Sequence, residues 1–167
     1  MIDRLINNAQ RSPIHRWLLN KILQYKIPFN RPHQPEILKV EADVITMRLP
    51  FIRKNKNHIN SMHACALATM SEYISGISLA RCLGTEKYRF ILKELKMVYS
   101  YQAKEDVFTS FRLPVKWIND EVITPLLTDE AVTRELKVEL FDSQNKLICT
   151  GFPVWQIKRW ETVKTKV

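Results

Sequence analysis

Apolar residues recur at spacings of three and four through Ile14, Trp17, Leu18, Ile22 and Tyr25, which predicts an amphipathic helix. Ser12 and Pro13 stand where that helix should begin, a hydroxyl to cap its first free amides and a ring already held at helical φ. Pro28, Pro32 and Pro35 stop it near Lys26 and stiffen the connector that follows. Residues 1–10 carry a shorter pattern of the same kind. From residue 36 to 51 the period falls to two. Leu38, Val40, Ala42 and Val44 alternate with Lys39, Glu41 and Asp43, and the apolar parity then passes to Ile45, Met47, Leu49 and Phe51. A change of face within one strand predicts a bulge or a strong bend.

Between Ser61 and Leu83 the polar phase disappears: Glu72 and Arg81 are the only formal charges. A helix without a charged face is buried nearly all round. Four further strands are predicted, at residues 87–102, 106–117, 132–142 and 146–158. Leu95, Met97, Tyr99 and Tyr101 share one face, as do Val107, Thr109, Phe111 and Leu113, and again Leu136, Val138 and Leu140. Ser143-Gln144-Asn145 reads as a tight hairpin, and residues 119–127 as a short helix that Pro125 interrupts. Helix, strand, uncharged helix and four strands in a meander make an α+β layer architecture. Five strands can curl round the central helix and bury one side. The other side falls to the N-terminal helix or to a second copy of the chain.

At about 100° per residue, Leu67, Met70, Tyr73, Ile74 and Ile77 gather on one side of the central helix as a sheet-packing stripe. The other side carries Ala64, Cys65, Ala68, Thr69, Glu72, Ser75, Gly76 and Leu79, mostly small residues around one carboxylate. This predicts a narrow crevice with an acid in it. Such an acid is costly unless paired, protonated or at work. Glu72 either bonds to Arg81 or a partner-chain backbone, or does chemistry. The chemical reading places a carbonyl oxygen on the free N–H at the helix start, near His63 and Ala64. Glu72, two turns on, then activates water or attacks the carbonyl. His63 could equally be a satisfied helix-start residue, and Asn57 could simply hold a loop turn.

Bulk composition narrows the classes. The 167 residues are 46% hydrophobic and 10% aromatic, the make-up of one folded domain. Three glycines leave no phosphate-cradling loop. The net charge of +9, with clusters at Arg53/Lys54/Lys56, Lys158/Arg159 and Lys164/Lys166, suits an anionic partner or a solvated basic surface. Basic residues do not cluster with aromatics on a nucleic-acid motif, so no nucleic-acid partner is expected. Cys65, Cys82 and Cys149 lack metal-site spacing, so no metal is expected, and Cys65 and Cys82 read as small core residues. With no signal-like run and no apolar stretch of spanning length, a cytoplasmic location is expected.

Asn57, His63 six residues on and Glu72 nine after that resemble the hotdog-fold acyl-CoA thioesterases, in particular the phenylacetyl-CoA and hydroxybenzoyl-CoA branch, whose motif runs N-x-x-G-x-x-H-G-G and then an acid. Tyr101-Gln102-Ala103 with Glu105-Asp106-Val107 resembles that family's segment after the helix, and the element order agrees over residues 36–158. The extra N-terminal helix is similar to a branch known only as a domain of unknown function. The resemblance implies a curved antiparallel sheet round a central helix, with residues 1–35 a helical extension and 36–167 the hotdog domain. It implies Glu72 as catalytic carboxylate, the Ala64 N–H as oxyanion donor, and Asn57 and His63 at the entrance. Arg53, Lys54 and Lys56 precede the site and would meet the phosphates of coenzyme A, which enters only as part of the substrate; no cofactor is expected. It also implies a site between subunits of a homodimer or tetramer. Asn60 stands where the family has glycine, and Ala64-Cys65 replaces Gly-Gly, narrowing the thioester slot.

Two alternatives stand beside hydrolysis. One is a non-catalytic hotdog protein holding acyl-CoA or a fatty acid. The other is a peripheral membrane or interaction protein using the basic N-terminal helix, with Arg16, Trp17 and Lys21 at a headgroup surface.

Overall fold

The computed structural model describes residues 2–163, with side chains from residue 5 on, so Lys164 and Lys166 lie outside the described residues. Helices α1 (Ile2–Asn8) and α2 (Pro13–Lys26) come first. Ser12 caps α2 as expected, its Oγ accepting from the His15 N–H at 3.3 Å. The predicted apolar stripe of α2 does not face inward, however. Leu19 and Leu23 are buried, whereas Ile14, Trp17, Leu18 and Tyr25 are exposed. Asn20 sets this rotation. Its Nδ2 donates to the Ile37 carbonyl at 3.0 Å and its Oδ1 accepts from the Ile37 N–H at 2.8 Å, extending the ladder of the first strand by one side-chain amide. Ile6, Ala9, Leu19 and Leu23 join the same hydrophobic core as the sheet.

The strands are β1 (Glu36–Val40), β2 (Val44–Leu49), β3 (Tyr88–Tyr99), β4 (Val107–Arg112), β5 (Val132–Glu135), β6 (Val138–Phe141) and β7 (Leu147–Arg159), with a central helix α3 (Ala64–Leu83) between β2 and β3. A short helix α4 (Val115–Ile118) runs on through a wide π-helical turn (Asn119–Ile123) and a 3-10 turn (Pro125–Leu127), so the region of the predicted 119–127 helix is helical but irregular. Residues 36–51 are a hairpin and not one bent strand. The Glu41 N–H donates to the Val44 carbonyl at 2.8 Å, and Val40 then faces Ile45. The change of parity is thus a reversal, and the irregularity between Ile37 and Lys39 buries both Ile37 and Val40.

The predicted strand 132–142 breaks into β5 and β6 opposite Pro153 of β7. The Pro153 carbonyl accepts from the Leu136 N–H at 2.9 Å, and proline has no N–H to return. Asn145, at φ 63°, closes the predicted 143–145 hairpin.

Sheet order is β1-β2-β4-β6-β7-β3, with β5 also on β7. The last strands therefore do not form a meander: β3 pairs with β7 at one edge, and β4 inserts beside β2. Alternation reports which face is buried, not which strand lies alongside. Arg48 of β2 reaches Glu36 of β1 at 2.8 Å and Asp106, the residue before β4, at 3.1 Å. The antiparallel sheet and its long helix form the hotdog architecture.

The central helix is buried beyond its predicted stripe. Leu67, Met70, Tyr73, Ile74 and Ile77 are buried, and so are Ser71, Ser75 and Ser78. Small residues here admit the sheet. Ser71 lies against the backbone of Gly151 so closely that a Cβ on that glycine would collide with it. Trp155 crosses the helix at Ser75 and Gly76, its Nε1 donating to Ser75 Oγ at 3.0 Å. Part of the predicted crevice is therefore filled by an indole from β7.

Candidate active site

The helix start is built by a loop that spends its polar groups on itself. Asn57 Oδ1 accepts from the N–H groups of Ile59 (3.1 Å) and Ser61 (3.0 Å), while its Nδ2 donates to Ser61 Oγ at 2.8 Å. Asn60, at the motif's glycine position, has φ 62°. That left-handed conformation is what glycine would supply, and asparagine tolerates it better than other side chains.

Asn55, fully buried, holds the loop to the α2–β1 connector. Its Nδ2 donates to the carbonyls of His33 (2.8 Å) and Pro50 (2.9 Å), its Oδ1 pairs with His33 Nδ1 (2.8 Å), and its own carbonyl accepts from the His63 N–H at 2.7 Å. The segment after β3 supplies another anchor: the Ala103 carbonyl accepts from the Met62 N–H at 2.8 Å. Nearby, Asp106 Oδ1 accepts from the Phe51 N–H at 2.7 Å.

His63 is the N-cap of α3. Its Nδ1 accepts from the Cys65 N–H at 3.0 Å, so in this arrangement the ring proton sits on Nε2. The Ala66 and Leu67 amides turn back to the His63 carbonyl. The Ala64 N–H, first in the helix, has no intrahelical partner and lies at an exposed residue. Across from it the Tyr99 hydroxyl of β3 donates to the Ala64 carbonyl at 3.0 Å. Cys65, in the first turn of α3, is exposed and is not a core residue. Cys82 is half-buried and Cys149 fully buried.

Glu72 sits two turns on, half-buried. Its carboxylate has no hydrogen bond or ion pair among the described residues. Arg81 instead donates from Nε to Asn7 Oδ1 at 3.2 Å, so the expected alternative of a Glu72–Arg81 pair is not formed. Burial pushes the Glu72 carboxyl above the ordinary carboxylate range; burial, with a smaller contribution from the Glu72 charge, likewise pushes the adjacent Tyr73 hydroxyl up. Glu72 borders a cavity of about 270 Å³ shared with Ile27, Tyr73, Ile77, Phe90 and Trp155.

Asn57, His63 and Ala64 are thus brought together, and Glu72 is not with them. Ala64 and Glu72 stand eight positions apart, about 12 Å along one helix axis. Arg53 and Lys54 are exposed beside the loop, and Lys56 Nζ lies 4.0 Å from the centre of the Phe51 ring. Sequence reasoning missed Asn55, Tyr99 and Trp155 at this site. Trp155 and Tyr99 each had only a position on an alternating strand as a signal, and Asn55 had none.

Residues 15–157 match the family described as Domain of unknown function (DUF4442). The chain belongs to that family. Among solved structures, this DUF4442 chain is similar to a Pseudomonas aeruginosa protein of unknown function described as a probable thioesterase. Identity is 25%, with a TM-score of 0.77 over 84% of this chain and 94% of that one. A Chlorobaculum tepidum protein of unknown function shares its fold at 12% identity, with a TM-score of 0.71 over 90% and 98% of the two chains. A Haemophilus influenzae thioesterase does so at 12% identity, with a TM-score of 0.64 over 84% and 88%. No curated protein has a matching sequence. Among the described residues, no helix is long and apolar enough to cross a membrane.

Proposed function

We propose that this DUF4442 protein hydrolyses acyl-CoA thioesters. The observation that carries the reading is Glu72: a half-buried carboxylate with no partner among the described residues, raised by burial, beside an apolar cavity on an otherwise almost uncharged helix. The likeness to solved proteins described as thioesterases supports it. In the proposed step, Glu72 takes a proton from water as the water attacks the thioester carbonyl, or attacks that carbonyl itself. The developing oxyanion is held by the Ala64 N–H, and collapse breaks the C–S bond and releases the thiolate of coenzyme A, which takes the proton Glu72 accepted from water. Where Glu72 itself attacks, water then hydrolyses the acyl–glutamyl anhydride and frees the carboxylate. His63 and Asn57 shape the entrance, and Arg53, Lys54 and Lys56 face the phosphates.

Ala64 and Glu72 lie about 12 Å apart along one helix, farther than a glutamate side chain reaches directly. That separation favours a site whose two halves come from different subunits, one lending Glu72 and the other its helix start. The edge of β3 supports such a homodimer, or a tetramer built from it. Among the described residues no strand pairs with its outer side over 12 residues, and Ile91, Val98 and Tyr99 are exposed along it.

The test is thiol release from short, long and aromatic acyl-CoAs, with native protein against Glu72→Gln and the oligomer checked by sedimentation. Loss of a base should lower turnover about 10²–10⁴-fold with the oligomer intact. Native activity should rise with pH through the raised Glu72 value, because the base works only when deprotonated. No thiol release from any substrate would overturn hydrolysis; saturable binding of the same panel would then assign a ligand-holding role to the cavity.

A further inference from the structure

The outer face of α2 is not explained by thioester chemistry. Ile14 is 77% exposed, Trp17 61%, Leu18 44% and Tyr25 77%, with Phe29 at 71% just beyond the helix end. At about 100° per residue, Ile14, Leu18 and Tyr25 fall within roughly 40° of one another, and Trp17 lies at the edge of the same arc. These large apolar groups are held outward by a specific device, the paired bonds of Asn20 to Ile37, while Leu19 and Leu23 face the core.

Charge says what such a face would meet. From Arg4 to Pro35 the sequence has six cations (Arg4, Arg11, Arg16, Lys21, Lys26 and Arg31) and no Asp or Glu. Lys21 lies inside the apolar arc, its Nζ 5.9 Å from the Trp17 ring centre. On the flank, Lys21, Gln24 and Arg31 line a groove of about 540 Å³.

We propose that α2 docks this protein on an anionic phospholipid surface. The helix would lie in the interface plane, with Ile14, Leu18 and Tyr25 among the upper acyl chains. Trp17 would sit at headgroup depth, and Lys21, Lys26 and Arg31 against phosphates. Charge favours this occupant over a second copy of the chain. A two-fold interface through the same face would set one acid-free basic segment against another, whereas anionic lipid neutralises both. The orientation is peripheral, since no helix among the described residues is apolar enough to span.

The test is flotation of the intact protein with vesicles of phosphatidylcholine alone and of phosphatidylcholine with phosphatidylglycerol, over a salt series. The native protein should float with the anionic vesicles only, and less as salt rises. Lys21→Gln and Lys26→Gln should each weaken binding about fivefold, and Leu18→Glu should reduce flotation to background. Leu18 is exposed, so that variant should melt like the native protein, which separates lost docking from lost folding. Equal binding to both vesicle types, or to neither, would overturn the proposal. So would a change of sedimenting mass in Leu18→Glu, which would show the face to be covered by another copy. Release of bound protein by millimolar glycerol phosphate alone would assign the groove to soluble phosphate and also overturn membrane docking.

Discussion

Gly151 of β7 is where the central helix comes closest to the sheet, and Gly151→Ala measures how firmly it is seated. A Cβ at this position would collide with the Ser71 hydroxyl, standing also 2.8 Å from Ser71 Cβ and 2.9 Å from Met97 Sδ. The Met97 thioether can swing away, but Ser71 is fixed in the middle of a 20-residue helix, so either α3 or β7 must shift. Overpacking of this kind costs about 1–3 kcal/mol. For a chain of this length that is roughly 2–4 °C of melting temperature per kcal/mol. The helix that moves carries Glu72 as its next residue, so any turnover should fall with stability. Ser71→Ala removes the worst overlap together with a buried hydroxyl that has no partner among the described residues, and alone should be neutral or stabilising by about 1 kcal/mol. Thermal and urea melts of the two single variants and the double variant form a cycle. Its expected coupling is about 1 kcal/mol or more in favour of the pair. A native-like melt for Gly151→Ala, or strictly additive effects, would refute the close seating of α3 on β7.

Three further outcomes are expected. Burial raises the Glu72 carboxyl above its ordinary value of 4.5, so native stability should decline as pH rises from the ordinary to the raised value and level off above it. Glu72→Gln lacks that decline, and identical pH dependence of the two proteins in urea melts would contradict the burial of a charged Glu72. Asn55→Ala strands the carbonyls of His33 and Pro50 and frees the loop before α3. It should cost about 2–3 kcal/mol in denaturant unfolding, and a cost near zero would show the loop is held by other means. Cys65 should react with a disulfide reagent within the mixing time, while Cys149, buried with its thiol pushed up to about 12, should react only at the rate of global unfolding. Prompt labelling of Cys149 would place it wrongly in the core.

Local signals were legible where one physical effect decides the outcome. The cap at Ser12, the limits of the uncharged helix after His63, and the Ser143–Asn145 turn each follow from a few adjacent residues. The resemblance over residues 57–72 also named the family's architecture. What failed depends on distant partners. Alternation marked the strands but not that β3 lies beside β7, nor that Pro153 would cut one predicted strand in two. The stripe on α2 was visible, but two bonds from Asn20 to the edge strand turned it outward. At the site, Asn57, His63 and Ala64 are near in sequence and near in space. The roughly 12 Å from Ala64 to Glu72 follows from helix rise alone. The Asn55 bonds to His33 and Pro50 had no trace in the sequence, because a buried asparagine between basic residues looks like a solvated turn.

The place of β3 in the sheet also governs the order in which the chain can fold during synthesis. Its partner residues, Cys149 to Arg159, emerge about fifty residues after β3 itself, and β2 must likewise wait for β4. Throughout that interval the helix with two charges has no completed sheet to rest on. Non-local pairing of this kind makes closure slow, and an apolar helix left waiting invites association between nascent chains. The same lack of charge that lets α3 fill the mature core therefore makes it the segment that a chaperone would shield until β7 arrives.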